Sequence, residues 1–214
     1  MPSCKNAPEL AARPGWRALV LAFLLTLFSM GATTPAQAGS IEATAARLTA
    51  SEETYVLSAD FNIDLGNYLE DILLRGIPLY FQLEAEITRN RWFWPGEHVA
   101  GRTFNYRLAY IPLSRVYRLS SGGVSGSGLS QDFSKLADAL RVMSRTVALP
   151  VAERGALKAG EPYQVAVRLS LDRQQLPKPL QLDAITNKDW TVDARVLRWQ
   201  FVPGTPDREN RERP

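Results

Sequence analysis

Apolar and polar residues alternate along most of the chain after residue 40. Tyr55, Leu57, Ala59, Phe61 and Ile63 share one face of an extended segment; Leu79, Phe81, Leu83, Ala85 and Ile87 do the same against Tyr80, Gln82, Glu84, Glu86 and Thr88. A two-residue period puts successive side chains on opposite faces, so both segments predict half-buried strands. Residues 41–48 predict a hairpin partner for the first, across a polar turn at 49–53. Pro95-Gly96 predicts the turn after the second, with Phe104, Tyr106, Leu108 and Tyr110 on the returning strand. Further strands are expected at 113–119, 163–171 and 190–202. In the last of these the apolar phase slips near Val196, which predicts a bulge.

The period changes to helical at two places. Leu65, Leu69, Ile72 and Leu73 predict a helix of about ten residues, with Gly76 as its left-handed cap and Pro78 barring continuation. From about Asp132, with Asp132 or Ser134 as cap, Leu136, Ala139, Leu140, Met143 and Val147 form an apolar stripe that packs on a sheet. Between them, residues 120–130 hold four glycines and five serines and predict a flexible turn. Residues 175–180, with Pro177 and Pro179, suit an extended corner. The order of strands and helices has no regular alternation that would build a parallel sheet. It predicts a mainly β (α+β) fold: one antiparallel sandwich or open barrel of about seven strands with two short helices, over residues 39–202, followed by a disordered tail at 203–214.

The first 38 residues follow other rules. Lys5, Arg13 and Arg17 precede an apolar run at 18–30, which is shorter than the roughly 20 residues that span a bilayer. Gly31 and Pro35 break it, and Ala36-Gln37-Ala38 supplies small residues at the two positions a signal peptidase reads. Cleavage is expected between Ala38 and Gly39, giving an exported protein of roughly 176 residues with no stable membrane anchor. The only cysteine, Cys4, precedes the apolar run, so it cannot serve as a lipid-attachment residue and leaves with the leader. Disulfides and thiolate chemistry are thereby excluded from the mature chain.

Removing three basic residues and one acidic residue leaves 22 against 21, a net charge of +1. A near-neutral domain lacks the basic stripe that a phosphate backbone requires, so no nucleic-acid partner is expected. No cofactor or metal set is legible. His98 is the single histidine, and its use in a triad needs a serine and a carboxylate distant in sequence. Glu70/Asp71 and Glu84/Glu86 are carboxylate pairs of the kind a glycosidase uses, and also what wet helix and strand faces carry. Gly122, Gly123, Gly126 and Gly128 lack the spacing of a phosphate cradle.

Arg91-Trp92-Phe93-Trp94 is the most unusual local feature. Continued alternation would point Trp92 and Trp94 outward as an interaction surface with Arg91; a bulge between Arg89 and Arg91 would turn both rings into the core.

Several spaced signatures coincide: Leu73-Leu74-Arg75-Gly76-Ile77-Pro78-Leu79, Arg91-Trp92-Phe93-Trp94, Arg107-Leu108 through Tyr117-Arg118-Leu119, Leu171-Asp172 with the 175–180 segment, and Trp190 with Trp199. Together they resemble an uncharacterised family of exported proteobacterial proteins, the domain of unknown function 4390. The resemblance covers about 41–202. It implies a Gram-negative periplasmic setting, one domain, no established activity, cofactor or catalytic residue, and gene neighbours that include a nitrogen-regulation-type sensor kinase. The resulting expectation is a non-enzymatic accessory or interaction protein of the cell envelope, whose partner is an envelope protein or the kinase's external region, with Arg91, Trp92 and Trp94 as its surface. Two other readings stand beside it: a carrier holding an apolar ligand between the sheet and the helix at 132–147, and a hydrolase using Glu70, Asp71 or His98.

Overall fold

The computed structural model describes residues 39–91, 94–122, 128–187, 190 and 192–204, and among these the two-residue period becomes ten strands, joined by three α-helices. All of these belong to one compact unit, Ala36–Pro214. The strands are β1 (Ser40–Ala50), β2 (Thr54–Asp64), β3 (Leu79–Arg91), β4 (Trp94–Ile111), β5 (Val116–Gly122), β6 (Leu129–Phe133), β7 (Arg145–Glu153), β8 (Tyr163–Leu171), β9 (Asp193–Ala194) and β10 (Leu197–Phe201). The helices are α1 (Gly66–Leu74), α2 (Leu136–Ser144) and α3 (Lys178–Thr186). One sheet has the order β7-β2-β1-β9 and the other β10-β8-β3-β4-β5-β6. The pairings are antiparallel except β1 with β9.

The fold is the expected mainly β sandwich. β1 lies against β8 and β10, and β7 against β4, so the two sheets face one another. Leu57 and Ile41 from one sheet, and Phe81, Leu83, Ile87, Val165 and Leu169 from the other, are all at most 1% exposed. Tyr55 of β2 meets Phe201 of β10 edge to face at 5.7 Å across the interface. In β1 the buried positions run Ile41, Ala43, then Leu48, with half-buried Ala46 between them. That change of parity coincides with a register shift between Ala43 and Ala45, one extra residue restoring the apolar face.

α1 ends as its sequence predicts. Gly76 adopts φ 83°, and its N–H donates to the Leu73 carbonyl while the Ile77 N–H reaches Ile72, the paired bonds of a Schellman cap.

Several sequence expectations are corrected. Pro95-Gly96 is not the turn: Arg91 pairs with Trp94, and Pro95 falls inside β4 beside the register shift between Arg89 and Arg91, where a missing N–H disturbs the ladder least. Leu113 is not on a strand; it is 98% exposed in a turn that Pro112 opens and Arg115 closes at φ 54°. The glycine-serine segment contributes Ser120 to Gly122 to β5 and Leu129 and Ser130 to β6, while residues 123–127 lie outside the described residues. The second helix starts later and ends earlier than expected: Lys135, not Asp132 or Ser134, is its N-cap, and Val147 is 68% exposed on the unexpected β7. Pro177 and Pro179 open α3 rather than an extended corner, since proline's fixed φ and missing N–H suit the first turn of a helix.

The final expected strand is two. β9 pairs with β1 in one sheet and β10 with β8 in the other, so the phase slip at Val196 marks a change of sheet, not a bulge. The unexpected β6 and β7 and this division raise seven strands to ten, and α3 raises two helices to three. Pro203, first residue of the expected tail, is buried and accepts a hydrogen bond from the Gly160 N–H. The leader at 1–38 and residues 205–214 lie outside the described residues.

Candidate functional site

β3 and β4 are longer than their neighbours. β8 pairs with β3 from Phe81–Leu171 to Arg89–Tyr163 and stops there. β5 pairs with β4 only from Asn105 onward. The hairpin beyond Arg89 is therefore a two-stranded arm, closed by the Arg91–Trp94 pair and bearing register shifts at Ile87/Thr88 and Arg89/Arg91. Such bulges add local twist, so the arm's tip need not follow the plane of the sheet.

The base of the arm is tied by charge. The Arg89 guanidinium donates to Glu97 Oε2 from Nη2 at 2.5 Å and from Nε at 3.2 Å, and from Nη1 to Glu161 Oε2 at 3.2 Å. Glu161 lies in the segment entering β8, and it also accepts from the Tyr163 hydroxyl at 3.1 Å. That hydroxyl accepts in turn from the Lys158 backbone N–H at 3.0 Å. Arg89 thus joins β3, β4 and the β7–β8 connection at one point. Glu97 foremost, then Glu161, pushes the Arg89 pKa up. The Arg89 hydrogen bond, opposed by desolvation and aided by Tyr163 and Lys158, holds the Glu161 carboxyl below its usual range. These groups are partly exposed, so what they provide is the arm's geometry more than stability.

The register shift between Arg89 and Arg91 is the bulge on which the alternative reading of Trp92 and Trp94, both rings in the core, depends. Arg91 and Trp94 form the arm's closing backbone pair; their side chains, and Trp92 altogether, lie outside the described residues. Gly39 is the first described residue and Ala38 lies outside. Arg89, Glu97, Glu161 and Tyr163 were not legible as a group. A turn at 92–93 would have set Arg89 near Glu97, but nothing local announces Glu161.

The residues of the hydrolase reading are not brought together. Glu70 and Asp71 are exposed on α1, with Asp71 paired to Arg75 at 2.5 Å. Glu70 acts on the Tyr117 phenol, whose pKa is raised first by burial and then by Tyr110 and Glu70. Tyr117 pairs with Tyr110 near the end of β4, whereas His98 is exposed near its start, about 40 Å away along the strand. Glu84 is paired with Arg168 at 2.6 Å and Glu86 is exposed. No cluster of three metal-binding side chains occurs among the described residues.

The carrier reading places a ligand beneath α2, where Ala139 and Met143 are fully buried in the common core with Leu57, Leu119 and Val151. A cavity of about 340 Å³ lies elsewhere, lined by Arg173, Gln174, Gln181, Ala184 and Ile185 beside α3. No helix among the described residues is long and apolar enough to cross a membrane.

Neither the curated proteins nor the solved structures provide a match to the chain. A family model described as a domain of unknown function, DUF4390, matches residues 38–200, most of the chain and all ten strands up to the last residue of β10. The chain belongs to the DUF4390 family.

Proposed function

We propose that the protein is exported, loses residues 1–38, and acts in the periplasm as a non-enzymatic interaction protein of the cell envelope. Its docking element is the β3–β4 arm, and its partner is an envelope protein, with a sensor kinase's external region the first to test. The observation that carries this reading is the arm itself. It extends past the last pairings of both neighbouring strands, is held at its base by Arg89, Glu97 and Glu161, and its closing Arg91–Trp94 pair brackets Trp92-Phe93 in the sequence. Aromatic side chains on a braced hairpin supply large contact area at small conformational cost, which is what a protein-recognition element requires. The described residues give no competing catalytic arrangement a shared location.

Replacement of Trp92 and Trp94 by alanine tests the proposal. Capture of envelope proteins by in-cell crosslinking is expected to fall at least about tenfold, with the melting temperature within about 2 °C of the parent. Unchanged capture would remove the arm as the docking element. A large fall in melting temperature would instead place the two indoles in the core.

A further inference from the structure

β8 ends at Leu171, the end away from the arm, and the chain passes through a single 3-10 turn, Arg173–Gln175, into α3. The Asp172 N–H donates to the Tyr80 carbonyl at 2.8 Å, which ties the turn to β3. The Asp172 carboxylate caps the turn, accepting the Gln174 N–H at 2.9 Å and the Gln175 side-chain amide at 2.8 Å. Leu176 and Ala184 are buried and seat α3 on the core. The cavity of about 340 Å³ is lined by both elements, with Arg173 and Gln174 from the turn and Gln181, Ala184 and Ile185 from the helix. That volume falls within the roughly 300–1,000 Å³ of small-molecule sites.

Two polar groups on its wall are held in place with bonding capacity to spare. Arg173 Nη1 donates to the Ala184 carbonyl at 3.1 Å, which fixes the guanidinium against α3. Its other N–H donors have no acceptor, and no carboxylate pairs with it, among the described residues. Gln181 Nε2 donates to the Gln174 and Leu176 carbonyls at 2.6 and 2.7 Å. Both partners are acceptors, so the orientation of the amide is determined, and its Oε1 is an acceptor without a partner among the described residues. The two carboxylates of this stretch are engaged elsewhere, Asp172 by the turn and Asp183 by Trp190 and Tyr68. Ile185, 78% exposed, adds an apolar wall that only a ligand would take out of water.

We propose that this cavity binds a carboxylate flanked by an amide N–H and an aliphatic side chain, the chemistry shared by the last residue of a peptide and a free N-acyl amino acid. The carboxylate accepts from the spare donors of Arg173, the amide N–H donates to Gln181 Oε1, and the side chain lies against Ile185. A guanidinium already fixed by the Ala184 carbonyl gives up little freedom on binding, and its hydrogen bonds to a carboxylate are charge-assisted. An unacylated amino acid brings an ammonium instead, for which the cavity wall has no carboxylate. The site is at the opposite end of β8 from the arm and does not depend on the arm's role.

Calorimetric titration of the purified full chain tests it, with N-acetyl-leucine, acetyl-Ala-Ala-Leu and the C-terminal amide of that tripeptide as probes. The two carboxylates are expected to bind, and the amide at least about tenfold more weakly. Arg173→Gln is expected to weaken the carboxylates by at least about tenfold, with a melting temperature within about 2 °C of the parent. Arg173→Lys, which keeps the charge and loses the planar fork, is expected to fall between the two, and carries the comparison if Arg173→Gln does not fold. Equal affinities for N-acetyl-leucine and the tripeptide would identify a free N-acyl amino acid as the natural class, and a tripeptide at least about threefold tighter would identify a peptide end. No binding of either carboxylate up to about 10 mM, equal binding of the amide, or affinities unchanged by the substitutions at Arg173 would overturn the proposal.

Discussion

Asp183 shows how a single side chain can organise a region whose sequence gives no hint of it. Its Oδ2 accepts the Trp190 indole N–H at 2.6 Å and the Tyr68 hydroxyl at 3.0 Å, and the two rings meet edge to face at 5.3 Å. Trp190 is fully buried, so removing its acceptor strands a donor away from water. Asp183→Ala is expected to cost about 1–3 kcal/mol, read from the denaturant midpoint at constant slope. An unchanged midpoint would mean that Trp190 finds another acceptor. Gly76 was legible because one local rule, a left-handed residue after an apolar stripe, determines it. Asp183 was not, since its partners are 115 residues away at Tyr68 and seven away at Trp190.

Among the elements, the long alternating runs were read correctly because every second residue faces the core: β3 has five such positions, each at most 4% exposed. Errors gathered where two rules compete. Pro177 and Pro179 suit both an extended corner and a helical first turn, and the hydrogen bonds from the Leu180 and Gln181 N–H groups to the Pro177 carbonyl, with those from the Gln181 side chain to the Gln174 and Leu176 carbonyls, show the chain folding back. β6 went unseen because its residues are almost all exposed and carry no apolar alternation. The arm was half legible: both strands follow from alternation, and the bulge between Arg89 and Arg91 stands in the sequence as one of two alternatives, but the turn position depends on pairing.

The ionic base of the arm has its own pH signature. A carboxyl whose folded-state pKa lies below its unfolded one adds stability above the unfolded value, and that contribution is lost as the pH falls through the folded value. Glu161, held below the ordinary 4.5 chiefly by Arg89, belongs to this case. The melting difference between the parent and Glu161→Gln is expected to stay constant from neutral pH down to about 5 and to shrink below 4.5. A difference independent of pH would show that Glu161 contributes no charge to the base.

For the whole molecule, fold class could be read from periodicity alone, whereas the division into two sheets could not. The phase slip at Val196 is visible in the sequence, yet a bulge and a change of sheet produce the same slip, and only the partners β1 and β8 distinguish them. The candidate site was legible as a cluster of unusual residues and illegible as an arm, because its projection is defined by where β5 and β8 end. The two ends of β4 allow the most direct measurement. A photocrosslinking residue placed at His98, exposed on β4 next to the base of the arm, is expected to yield adducts with envelope proteins in living cells, and the same residue at Leu113, 98% exposed beyond the far end of β4, is expected to yield none of them. Identical adducts from both positions, or none from His98 in cells that make and export the protein, would contradict an interaction protein that docks through its arm.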